Sequence, residues 1–236
     1  MFLSSYRVVT AYLNQSNYWA DKIKNTFGIE CHTKEAEYDL DPIVMRQVYL
    51  ILSDMGVKLV KACDVPDLYI SFTMGKSCFR FPNHGYWNPN DKSVTLNVNI
   101  FYEPDETPDF ISKNTGFFVS RPIQTLYHEF AHSADSAMGT NGVDLSSQPE
   151  WMELSGWSKT YKPGLKRLVI EEPGMPRVVG ELYYEPSKAG FPRFYAARNN
   201  YDDFADCFAF YIAGLQDTLP KSKQNYFKKL LSKYSK

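Results

Sequence analysis

The chain has 236 residues, 44% of them apolar and 22% charged, enough for one compact domain with a substantial core. A net charge of −1 at pH 7 provides no basic stripe, so nucleic acid is not an expected partner. No stretch approaches roughly 18 consecutive apolar residues, and the N-terminus has no charged segment leading into an apolar core. Neither a membrane span nor a secretory signal is expected.

The protein is therefore expected to act inside a cell, to leave by a specialised route, or to travel in a virion. The four cysteines, Cys31, Cys63, Cys78 and Cys207, show no C-x-x-C spacing and read as reduced, mostly buried thiols. The 17 tyrosines and 16 phenylalanines suggest wide amphipathic surfaces, such as a groove for an extended ligand.

Apolar residues at helical spacing predict a helix over 6–27, stopped by Gly28, and a second after Asp41-Pro42, stopped by Gly56. Residues 67–72 are β-rich and read as an interior strand, and 77–81 as another short one. Residues 83–90, including His84, are dense in turn formers. Residues 93–100 alternate strictly between polar and apolar, the pattern of a half-buried strand. Read as an edge strand, it could be joined by an extended peptide through Thr95, Leu96, Asn97 and Val98. Residues 103–116 read as a loop.

Pro122 then opens a helix with Ile123, Leu126, Tyr127, Phe130, Ala131, Ala134 and Met138 at i, i+3, i+4, i+7 spacing. Downstream, a short helix is expected within 148–157. Residues 167–171 and 177–184 read as a β-hairpin around Pro173-Gly174-Met175-Pro176. A helix over 201–215 and a basic amphipathic helix over 221–234 complete the chain. The fold class is α+β, with N-terminal helices on a small mixed sheet and a mainly helical C-terminal part. The expected organisation is a single domain, 1–236, with an N-terminal lobe over 1–140 and a C-terminal lobe over 141–236.

Within the helix after Pro122, His128-Glu129-Phe130-Ala131-His132 matches H-E-x-x-H. Positions i and i+4 share a face, so both imidazoles can reach one metal ion, with Glu129 beside them as a base. A catalytic zinc site needs a third protein ligand. No histidine follows His132, so in a complete site that ligand is a carboxylate. Asp202, Asp203, Asp206, Glu181 and Glu185 all offer the chemistry.

Phe194-Tyr195 through Phe208, taken with His128 to Asp135, resembles the lethal-factor-like zincins, which include the Pro-Pro endopeptidases. That family follows H-E-x-x-H with an aspartate, matched by Asp135. It then has a tyrosine, a carboxylate ligand seven residues later, and a second carboxylate four beyond that. Tyr195, Asp202 and Asp206 stand at those positions, with Phe204-Ala205 between the acids. The resemblance covers roughly 120–138 and 190–212. It implies a zincin-like fold, one Zn²⁺ held by His128, His132 and Asp202, and Tyr195 as donor to the oxyanion. Asp206 and Asp135 would support the ligands from behind. Both family glutamates are aspartates here, one methylene shorter, so the helix over 201–215 must sit nearer the metal, or the metal geometry differs.

The expected activity is that of a zinc-dependent endopeptidase on an extended protein or peptide substrate, with Glu129 as general base. The alternative is a structural or binding component of a viral or secretion assembly that keeps the fold with little or no proteolysis. Oligomeric state is not legible.

Overall fold

The computed structural model describes residues 2–72, 84–102, 120–172, 175–178 and 182–234. Helix α1 runs over Phe2–Phe27, beginning four residues before its expected start. It ends at Gly28, whose φ of +84° suits a residue without Cβ. Helix α2, Pro42–Met55, starts where Asp41 accepts from the Ile43 backbone N–H at 2.8 Å. Gly56, at φ +95°, breaks the path, and a further short helix, α3 over Val57–Ala62, follows at once.

Strands β1 (Glu30–Thr33), β2 (Asp67–Ser71), β3 (Gly85–Asn88) and β4 (Ser93–Asn97) form a mixed sheet in the order β1-β2-β4-β3. The first three in that order are parallel, and β3 closes the row antiparallel to β4. β2 is interior, as its composition predicts. β1 has no alternation of its own and was not expected. The expected strand over 77–81, with Cys78, and the loop over 103–116 lie outside the described residues.

Two expectations need correction here. Residues 85–88, expected as a turn, form an edge strand, and β4 is interior. β4 already pairs Leu68 and Tyr69 of β2 on one side and Trp87 and Tyr86 of β3 on the other. Thr95 and Leu96 therefore have no backbone edge for a peptide. Asn97 ends the strand by donating its N–H to the His84 carbonyl at 2.8 Å. Its side chain then caps a 3-10 turn, Val98–Phe101, which removes Val98 from the strand altogether. The alternation in β4 is real, but all five of its residues are buried.

Helix α4, Arg121–Ala137, packs on β3, β4 and α7 (Asn200–Ile212). One apolar core runs through both halves of the chain, from Ile23, Val48, Leu68 and Leu96 to Phe130, Phe204, Phe208 and Phe227. Between α4 and α7 come α5 (Pro149–Leu154), β5 (Trp157–Ser158), β6 (Val169–Glu172), β7 (Met175–Val178), β8 (Tyr183–Tyr184) and α6 (Pro186–Ala189). The expected hairpin pairs β6 with β7 antiparallel, from Val169 opposite Val178 to Glu172 opposite Met175. Tyr183 and Tyr184 belong instead to a second ribbon, paired with β5. Helix α8, Lys221–Leu231, packs against α7. Among the described residues, no helix is long and apolar enough to cross a membrane.

Candidate metal centre

His128 and His132 project from one face of α4, one turn apart. Asp202 comes from the first turn of α7, where Asn199 caps the helix by accepting from the Asp202 backbone N–H at 2.7 Å. The two Nε2 atoms are 3.1 Å apart, and Asp202 Oδ1 lies 3.8 Å from that of His128 and 3.6 Å from that of His132. Tetrahedral zinc with nitrogen ligands at about 2.0–2.1 Å needs ligand atoms about 3.3–3.4 Å apart, so this triangle matches the ion closely. Asp202 is only 5% exposed, and its Oδ2, 3.9 Å from Arg198 Nη1, is buried without a hydrogen-bond partner among the described residues. A buried carboxylate that turns Oδ1 towards two facing imidazole nitrogens is the donor set of a cation site. The close packing of α4 on α7 is what lets an aspartate span the distance.

Asp206, one turn beyond Asp202, is wholly buried and contacts His128 Nδ1 at 2.8 Å. Burial alone would raise its pKa, but Arg193 and His128 outweigh that and hold it at about 2. The anionic carboxylate makes Nδ1 the protonated nitrogen and leaves the His128 Nε2 lone pair for a metal. Arg193 grips the same carboxylate with both arms, Nε to Oδ2 at 2.7 Å and Nη2 to Oδ1 at 2.5 Å.

Asp203 is not part of this group. One position further round α7, it faces α8, where its carboxylate takes Lys223 Nζ at 2.6 Å and Trp157 Nε1 at 3.0 Å. Cys207 Sγ donates to it at 3.3 Å. The i, i+4 pair Asp202/Asp206 thus serves α4, and the pair Asp203/Cys207 serves α8. Glu185 is spoken for at the surface by Lys188, 2.9 Å away. Glu181 lies outside the described residues. Asp135 supports the site differently from expectation: it accepts the Ser146 backbone N–H at 2.6 Å, pinning the 3-10 turn Leu145–Ser147 against α4. Burial pushes its carboxyl up to about 7, though the Ser146 bonds and His132 oppose the shift.

Glu129 is buried against the edge strand. Burial raises its pKa, partly offset by His128, His132 and a hydrogen bond from the Trp87 backbone N–H. In His132, burial is outweighed by the Asp202 and Glu129 carboxylates, and the pKa is raised. The Asn97–His84 bond sets the parity of β3, so Gly85 and Trp87 turn their backbone groups away from β4. Gly85 matters sterically: a Cβ there would lie 2.9 Å from Thr125 Cγ2 and 3.1 Å from Glu129 Cγ.

Tyr195 sits on a 3-10 turn, Phe194–Ala197, with its ring 5.8 Å from that of His128. Burial and the Asp202 charge push its phenol up to about 12, opposed by Arg198, so it is a neutral donor at pH 7. The structure thus gathers His128, Glu129, His132, Tyr195, Asp202 and Asp206, while Asp135 and Thr95–Val98 play other parts. Arg193, Arg198, Gly85 and Trp87 are additions that sequence reasoning missed. Only Arg198 left a trace, three residues after Tyr195, a spacing that eclipses side chains in a 3-10 turn.

No protein-family profile and no curated protein matches the sequence. Among solved structures, the chain is similar to a "putative zinc-binding metallo-peptidase" from Bacteroides caccae, at 15% identity and a TM-score of 0.44, over 95% of this chain and 85% of that one.

Proposed function

We propose that the protein is a zinc-dependent endopeptidase of the lethal-factor-like zincin type, with His128, His132 and Asp202 holding one Zn²⁺. The observation that carries this reading is the convergence of two Nε2 atoms and the Asp202 Oδ1 within 4 Å, beside a buried glutamate. Bound there, zinc would act as a Lewis acid that acidifies a water and polarises a carbonyl.

The chain supplies the rest. Glu129 takes the proton of the attacking water and passes it to the leaving amine. Its raised pKa strengthens it as the group that takes the proton, and the Trp87 N–H fixes the carboxylate. Tyr195 donates its O–H to the carbonyl oxygen as negative charge develops. Asp206 and Arg193 hold the His128 ring. β3, which has no further strand paired to it among the described residues, would receive an extended peptide through the outward backbone groups that Glu129 does not use.

Metal analysis of the purified protein, then cleavage of an unbiased peptide library, tests the reading. Zinc at one per chain and cleavage lost in Glu129→Gln, with zinc retained, are the expected results. A Gln variant with unchanged turnover, or protein that takes up no zinc, overturns it.

A further inference from the structure

Tyr195 is gripped from two sides. The Arg193 guanidinium carbon lies 5.1 Å from the centre of its ring, and Arg198 Nη1 donates to its hydroxyl oxygen at 3.2 Å. Both cations are themselves tied to the metal-centre acids. Arg193 is bidentate on Asp206, and Arg198 Nη1 stands 3.9 Å from Asp202 Oδ2.

This arrangement does two things to a side chain that is 41% exposed. The cation–π contact fixes the ring plane, because Arg193 cannot follow a swinging ring without releasing Asp206. The Arg198 bond occupies the phenol oxygen as acceptor, so its one hydrogen is left to donate outward. A hydroxyl that accepts from a cation is also a stronger donor, by the polarisation that runs along hydrogen-bond chains. The local fold explains the placement. Three residues per 3-10 turn put Arg198 over Tyr195, while Arg193, extended at φ −145° and ψ 169°, passes beneath the ring towards α4 and α7.

We infer that Arg193 and Arg198 form a clamp that aims the Tyr195 hydroxyl at a tetrahedral oxyanion and strengthens it as a donor. This rests on the zinc-peptidase reading. Both arginines are positioning residues that act through Tyr195.

The test is a double-mutant cycle on zinc-loaded protein, with methylphosphonate as a tetrahedral anionic probe and Kd read by calorimetry. Tyr195→Phe and Arg198→Met should each weaken binding by about tenfold, the loss of roughly one charge-assisted bond. The double variant should lose little more than Tyr195→Phe alone, because Arg198 works through the hydroxyl it no longer meets. Arg198→Lys, which restores a donor, should recover part of the loss. Arg193→Met should weaken probe binding more when Tyr195 is intact than in a Tyr195→Ala background, which lacks the ring that Arg193 holds. In peptide hydrolysis, Arg198→Met should lower kcat with KM little changed.

An Arg198→Met effect of equal size with and without the Tyr195 hydroxyl means that Arg198 meets the anion directly, and overturns the clamp. Zinc-loaded wild-type protein that does not bind the probe also overturns the clamp, and leaves the zinc site standing. Protein that takes up no zinc overturns the peptidase reading and the clamp together.

Discussion

Gly85→Ala is the sharpest probe of how β3 holds Glu129, the proposed base. The new methyl carbon would stand 2.9 Å from Thr125 Cγ2, 3.1 Å from Glu129 Cγ and 3.1 Å from the Thr95 carbonyl oxygen. Comfortable carbon–carbon separation is about 3.5–4.0 Å, so the closest contact is short by roughly half an ångström or more. None of the three neighbours is a loose end. Thr125 and Glu129 are fixed on α4, and Thr95 belongs to an interior strand with partners on both sides. Overpacking of this size costs about 1–3 kcal/mol, measurable as a lower urea midpoint. Glu129 should be pushed by a few tenths of an ångström. Since a misplacement of about 1 Å costs about a hundredfold, kcat should fall about tenfold with zinc content unchanged. Thr125→Ser removes the nearest methyl, so adding it to Gly85→Ala should restore part of both losses. Wild-type kcat and stability in Gly85→Ala, or strictly additive effects in the pair, would refute the reasoning.

Three further outcomes follow from the charges and the metal. Lys223→Met leaves Asp203 fully buried with Trp157 and Cys207 as its remaining donors among the described residues, so it should cost about 3–5 kcal/mol in urea unfolding, and adding Asp203→Asn should recover much of it. The Asp206 pKa is depressed from 3.8 to about 2, so the stability it contributes is complete above about 4 and lost as pH falls through about 2. Asp206→Asn should flatten the acid-unfolding curve in that window, followed by circular dichroism. Stripping the metal with a chelator should abolish cleavage and lower Tm, and zinc at about 100 times its Kd should return about 2.7 kcal/mol of stability.

The helix carrying His128, Glu129 and His132 was legible because its two signals are local. A 3.6-residue apolar period marks the buried face, and an i, i+4 pair shares the other. The same locality explains why α7 could be read with its acids four residues apart. It also explains the errors at β3 and β4. Alternation in residues 93–97 reports that the faces differ, not how many strands flank them, and a strand of four residues rich in turn formers sends no signal of its own.

By itself, the sequence determined an α+β chain with two histidines and a glutamate on one helix turn and acids on a later helix. Residue chemistry left five acids open as partners of the histidines; the resemblance pointed to Asp202, and the tertiary structure is what brings it against them. Asp202 and Asp203 differ by one step of about 100° around α7, and the packing of α4 on one side and Lys223 on the other assigns them opposite tasks. It likewise decided that the edge strand is Gly85–Asn88, and that Arg193 and Arg198 surround Tyr195. Those contacts join α4, α7 and the turn before α7, and no local periodicity records which long side chains will meet once distant helices pack together.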